Sequence, residues 1–329
     1  MRRVKKSLLP RTLGRVVNPS AIHRRIQYGQ IHMIEPAQLL AHPLVVVPGF
    51  MSDGRVWEPQ VRMLSRHVPV TIAPVLNADR IEDVAATLLT HMPEKFTVLG
   101  AGLGGSIAMA MLAAQPGRIA GIGLIGSTPL PETPAKAAER EPWIIRARTG
   151  RLRGVMEEVI PTSSLAPGPL RHQIMGQLAD MAEDLGPDVF VSQSRMLQRR
   201  RDQQATLRRA SQPGLVICGV HDQITPVKRQ MITAELMQNA RIEMIEDAGH
   251  VPLMEQPERV SAILHNWIIG DHAVCPLTGE LAEPVDEPLW VSRRSRRQTA
   301  APVIAHADTP MQELSEDVLH LSANYRASA

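Results

Sequence analysis

The chain has 329 residues, 44% hydrophobic and 21% charged, enough to bury one sizeable core and still carry an insertion or tails. No apolar run approaches the roughly 20 residues a membrane-spanning helix needs. Two cysteines supply neither a disulfide framework nor a metal spacing, and the twelve histidines form no H-E-x-x-H or C-x-x-C pattern, so no metal and no cofactor are expected. The net charge of +3 is uneven: Met1 to Ile34 holds eight Lys/Arg and no acid. Residues 1–25 are read as a solvated basic extension, able to meet acidic surfaces, rather than as a targeting peptide.

In chain order, Ile26–Glu35 alternates loosely and predicts an early strand. Leu44–Val47, before Pro48-Gly49, reads as a fully buried strand. The loop Phe50–Trp57 leads into a helix through Met63, followed by a strand over Val68–Val75 and a helix over Ile81–Met92. Phe96–Leu99 breaks into glycines and restarts as a small-residue helix carrying Ser106, Met109 and Leu112, before a strand over Ile119–Ile125. That alternation predicts an α/β fold, a parallel sheet covered on both faces. Pro131–Arg209 is rich in Ala, Arg, Glu and Met and reads as an inserted helical cap (residues 131–209). Leu215–Val220 and Arg241–Ile245 restore the strands, and a last helix spans Pro257–Ile269. The core is thus expected over 26–130 and 210–270. Residues 271–329 read as a mobile tail with a cluster at Arg293, Arg294, Arg296 and Arg297 and a short helix near Met311–Leu321.

The glycine turn after Phe96–Leu99 fits two sites. Gly100, Gly102 and Gly105 satisfy the dinucleotide fingerprint G-x-G-x-x-G. That site wants an acid at the end of the next strand. Here Leu124-Ile125-Gly126-Ser127-Thr128 offers none before Glu132, and three strands precede the turn, so the reading is weak. The other site is the nucleophile elbow G-x-S-x-G, whose frame here is Gly100-Ala101-Gly102-Leu103-Gly104, with glycine in the serine's seat.

Four segments in order support the second reading: Leu44–Phe50 (LVVVPGF), the glycine turn, Gly219-Val-His-Asp222-Gln-Ile-Thr-Pro226, and Asp247-Ala-Gly-His250 running on to Pro257. Over about Ile26 to Ile269 the chain resembles the α/β-hydrolase fold family, in its capped form, with Pro48 where that family usually has histidine. The resemblance implies a mostly parallel sheet flanked by helices, His250 as base, Asp222 as its orienting acid, and an oxyanion hole made by the backbone amides of Phe50 and Leu103. Gly102 occupies the nucleophile position, so an acyl-enzyme there is chemically impossible. Ser52 and Ser127 could approach the pocket, Ser106 reads as a packing residue, and Asp53 as an exposed turn residue.

Three functional classes remain open. One is a hydrolase of a small, mainly apolar ester or lactone in which His250 and Asp222 activate water, as general bases can; the resemblance extends to aminoacrylate-hydrolase-like members with alanine in the seat. The second is a non-catalytic pseudo-hydrolase binding a small ligand or protein partner, similar to the N-myc downstream-regulated family. The third is a serine esterase whose apex serine has been substituted. A retained Asp–His pair tilts the reading to the first class. Trp143, Met156, Met175 and Met181 are expected to give the cap an apolar pocket, and Arg146, Arg148 and Arg151 a solvated face. Cys218 and Cys275 read as inert thiols. A cytoplasmic location, a small-molecule partner and no nucleic-acid partner are expected; oligomeric state is not legible.

Overall fold

Leu44–Val47 places three β-branched valines in a run of four apolar residues, a pattern that suits a pleated strand with both faces covered. In the computed structural model, which describes residues 42–74 and 77–269, this run is strand β1, and all four side chains are buried. The chain divides into two compact units, Met1–Val285 and Asp286–Ala329, and every described residue belongs to the first. The basic extension, the strand expected over Ile26–Glu35, Cys275, the arginine cluster and the helix near Met311 lie outside the described residues.

After β1 come α1 (Glu58–Leu64), β2 (Val70–Ile72), α2 (Ile81–His91), β3 (Phe96–Ala101), α3 (Leu103–Ala114) and β4 (Ile119–Ile125). Four helices follow without a strand among the described residues: α4 (Pro134–Arg148), α5 (Leu152–Val159), α6 (Arg171–Gln198) and α7 (Gln204–Arg209). The chain returns through β5 (Gly214–Gly219), α8 (Val227–Leu236), β6 (Ala240–Ile245), α9 (Pro252–Glu255) and α10 (Pro257–Ile269). The strand order is β2-β1-β3-β4-β5-β6, and every pairing in this sheet is parallel. Among the described residues no helix is long and apolar enough to cross a membrane.

Several boundaries differ from the sequence expectation, two of them by two residues or more. The strand expected over Val68–Val75 shortens to Val70–Ile72, because Pro69 and Pro74 cannot donate to a ladder. β3 runs past Leu99 to Ala101, since Gly100 and Ala101 pair with Leu124 and Ile125.

The sheet separates two apolar layers. Leu44 and Val46 face one with Leu99, Leu215 and Ile217, whereas Val45 and Val47 face the other with Val98, Ile122 and Val216. The first layer packs on α1 and α10 through Leu64, Leu264 and Trp267 and continues into Val155, Met156, Leu178 and Phe190 of α5 and α6. The second packs on α2 and α3 through Leu88, Met109 and Met111. Each fully buried valine or leucine contributes about 1.5–3 kcal/mol. The register pairs Val47 with Gly100 and Ala101 with Ile125 near the C-terminal strand ends, so the loops that follow converge on one edge. Open parallel sheets bind ligands at that edge.

Candidate active site

The turn after β3 is one residue long. Gly102 has φ 50° and ψ −112°, and α3 begins at the next residue. The Gly102 amide donates to Ile125 O at 2.9 Å, and Ser127 Oγ donates to Gly102 O at 3.0 Å. The neighbouring glycines serve close packing: a Cβ at Gly100 would lie 2.4 Å from Gly104 O, one at Gly104 2.2 Å from Val47 O, and one at Gly105 2.0 Å from Ser127 Oγ. Gly102 differs. A Cβ there meets nothing nearer than Gly49 Cα at 3.9 Å, so only its backbone angles favour glycine. The G-x-G-x-x-G pattern thus reflects a helix pressed onto β1 and β3.

The loop after β1 holds a strained residue. Met51 has φ 48°, its side chain is fully buried, and its amide donates to Gln193 Oε1 of α6 at 2.7 Å. Among the described residues the amides of Phe50 and Leu103 donate to no other protein group. Asp53 is not the exposed turn residue expected: it is half-buried and accepts from the Arg55 amide at 2.9 Å, because it caps the single turn Gly54–Trp57.

Asp222 lies three residues past β5 and is buried. Its Oδ1 accepts from the amides of Ile224 and Thr225 at 2.9 and 2.8 Å, and its Oδ2 from Gln230 Nε2 at 3.3 Å. The same Oδ2 lies 3.0 Å from His250 Nδ1. Asp222 is therefore both a turn cap and a histidine partner. A proton on Nδ1 directed at this carboxylate leaves Nε2 as the free lone pair. Burial disfavours the charged imidazole, but the Asp222 carboxylate, its hydrogen bond and Glu255 outweigh it, so the His250 pKa lies above its usual 6.5.

The His250 backbone is fixed as well. Its amide donates to Ser164 O at 2.7 Å. Glu255 accepts from the flanking amides of Gly249 and Val251, both at 2.9 Å, and from Ala166 at 2.7 Å. Gly126, φ 56°, lies under the imidazole: a Cβ there would be 3.7 Å from His250 Cε1 and 3.7 Å from Asp222 Oδ2. Cys218 is buried in β5, and burial, reinforced by Asp222, pushes its thiol up to about 12.

A cavity of about 410 Å³ opens onto these groups. Gly102, Leu103, Phe50, Ser52, Ser127 and His250 line it, with Asp222 behind the imidazole. α4 and α5 supply Trp143, Glu158 and Val159, and Ile160 follows. Trp143 lines the cavity as expected, but Met156, Met175 and Met181 turn into the apolar layer between helices. Ser127 also donates to Ile125 O at 3.1 Å, so its hydroxyl is engaged with the strand end. Ser52 is buried at the cavity wall, and Ser106 is buried on α3. Arg148 and Arg151 are exposed, and Arg146 pairs with Glu158 at 2.7 Å. Sequence reasoning passed over Gly126, Gln230 and Glu255, and three cavity-lining arginines: Arg140, Arg200 and Arg229.

The Alpha/beta hydrolase family matches this chain over residues 44–263. A pimeloyl-[acyl-carrier protein] methyl ester esterase of Aromatoleum aromaticum is 26% identical over 204 residues, 58% of this chain and 80% of that protein. The protein of that name from Methylococcus capsulatus is 23% identical over 240 residues, 68% and 94% of the two chains. Among solved structures, a thermophilic esterase from Thermogutta terrifontis superposes with a TM-score of 0.63 at 26% identity, over 69% of this chain and 89% of that one. An enol-lactonase from Burkholderia xenovorans LB400 gives 0.62 at 19% identity, over 69% and 91%, a likeness of fold alone. With the match spanning both the sheet and the converging loops, the chain belongs to the alpha/beta hydrolase family.

Proposed function

We propose that this protein hydrolyses a carboxylic ester or lactone by general-base catalysis without a covalent nucleophile. The observation that carries the reading is the Asp222–His250 pair facing a cavity whose wall at Gly102 is open where a serine side chain would stand. A water molecule fits that space. His250 Nε2 takes a proton from the water as its oxygen attacks the acyl carbon. The amides of Phe50 and Leu103 stabilise the carbonyl oxygen as it becomes an oxyanion. The tetrahedral adduct collapses, the C–O bond to the leaving group breaks, and the imidazolium returns the proton to the departing alkoxide. Products are a carboxylic acid and an alcohol, or a hydroxy acid from a lactone. Helices α4–α7 act as the cap that encloses the acyl group. The esterase names of the relatives support the substrate class.

The open space at Gly102 also favours a second reading, a binding protein that keeps the cavity without turnover. Assaying short and medium acyl esters, thioesters and lactones with the native chain, His250→Ala and Gly102→Ser separates the two. Turnover by the native chain, abolished in His250→Ala, is the expected result. Activity confined to Gly102→Ser overturns the general-base mechanism and leaves a hydrolase scaffold that lacks its nucleophile.

A further inference from the structure

A guanidinium keeps its charge at any physiological pH, and each of its N–H groups removed from water requires an acceptor. Arg140 is 8% exposed. Its Nε and Nη2 donate to Glu132 at 2.8 and 2.5 Å, and its guanidinium carbon lies 5.4 Å from the Phe50 ring centroid. Its Nη1 is buried without a partner. Arg200 reaches only Ser106 Oγ, at 3.4 Å, and its Nε is likewise buried without a partner. Among the described residues no carboxylate forms an ion pair with Arg200 or Arg229. Arg140, Arg200 and Arg229 line the cavity that holds Gly102 and His250, together with Lys136 and the carboxylates of Glu132, Glu139 and Glu158, of which Glu132 alone has a buried side chain. Burial first, then the repulsion of Arg140 and Arg229, lowers the Arg200 pKa to about 10 despite the attraction of Glu132. Unpaired positive charge in a water-poor wall is costly, and an anion supplied by a ligand removes that cost.

Resting on the hydrolase reading above, we propose that Arg140, Arg200 and Arg229 form a carboxylate-binding subsite, and that the substrate is an ester or lactone bearing a second, ionised carboxyl group. Among the described residues Arg200 and Arg229 line the cavity without a carboxylate partner, and the planar fork of a guanidinium pairs with the two oxygens of a carboxylate. The Phe50 ring beneath Arg140 ties this wall to the amide assigned to the oxyanion. The anionic end of the substrate and its reacting carbonyl are thus located by adjoining groups. The mainly apolar ligand expected from the sequence is amended at this wall.

Calorimetric titration tests the subsite without turnover. N-methylglutaramate, which carries one carboxylate and no ester, is compared with neutral N,N′-dimethylglutaramide on the native chain. The acid is expected to bind at least tenfold more tightly. Arg200→Met and Arg229→Met are each expected to weaken the acid at least tenfold and leave the neutral amide unchanged, with folding checked by thermal melting. Arg153→Met, whose arginine pairs with Asp180 and Glu183 on the exposed helical surface, serves as the control and is expected to bind as the native chain does. Equal binding of acid and neutral amide overturns the proposal, as do native affinities in both cavity variants. Binding of inorganic phosphate without binding of the acid also overturns it. A parallel assay of monomethyl and dimethyl glutarate separates the two readings. Tight acid binding without hydrolysis supports the subsite and removes the hydrolase reading, whereas hydrolysis without preference for the monoester removes the subsite alone.

Discussion

His250 meets Gly126 through its ring and Glu255 through its flanking amides. A working base must be neutral, and the pKa of His250 is raised above 6.5 by Asp222 and Glu255 against the burial penalty. The rising limb of the rate–pH profile is therefore expected above pH 6.5, and an imidazole NMR titration should give the same midpoint. The corresponding stability has the opposite sign: protonated His250 stabilises the fold below pH 6.5, and this contribution disappears as pH rises through the folded-state value. Burial pushes the Glu255 carboxyl above its usual range, against the three amides that favour its ionised form. Glu255→Gln keeps one acceptor oxygen, so either the Val251 amide or the Gly249 and Ala166 amides beside His250 lose their acceptor and meet an N–H donor. It is expected to lower kcat by up to roughly a hundredfold with little change in KM, the signature of a displaced base. The Asp222–His250 contact and the one-residue turn at Gly102 were legible in the sequence because each of these residues sits in a short turn with its own spacing. Glu255 and the three arginines were not, because only the tertiary fold sets Glu255 beside Ala166 and brings residues 140, 200 and 229 to one wall.

At the scale of elements, α3 shows how a glycine pattern can be required without binding a phosphate. Gly104→Ala would drive a methyl group to 2.2 Å from Val47 O and 2.5 Å from Pro48 O, both backbone atoms of the β1 edge. Chemical denaturation is expected to show a loss of about 3 kcal/mol. Gly154→Ala in α5 meets nothing within 4 Å and is expected to stabilise by roughly 0.5–1 kcal/mol. Strand periodicity was readable because buried parallel strands are short continuous apolar runs; β1, β4 and α10 carry the expected limits. The interior of α6 was not. Its 28 residues contain Gly186 at φ 82° followed by Pro187, a kink that carries the second half toward Met51 through Gln193. A glycine–proline pair announces a break, but not that the helix resumes beyond it.

Across the whole described molecule, one apolar layer joins Leu44, Val46 and Ile217 of the sheet to Phe190, Met181 and Val155 of the intervening helices. Helices and sheet should therefore unfold together, with near- and far-ultraviolet circular dichroism melting at one temperature. Phe190→Ala, fully buried and edge-on to Phe50 at 5.4 Å between centroids, is expected to cost about 3–5 kcal/mol and to move both signals. The segment between α5 and α6 carries a different consequence. Ser164 O accepts from the His250 amide, and the Ala166 amide donates to the Glu255 carboxylate that also holds Gly249 and Val251. This stretch ties the roof of the chamber to the histidine on its floor. A roof that swings open by pivoting there leaves the imidazole in place, whereas one that lifts away at residues 164–166 breaks these bonds or takes His250 with it. An opening of the roof that keeps His250 in place is therefore expected on the side away from residues 164–166, where hydrogen exchange of backbone amides would find it.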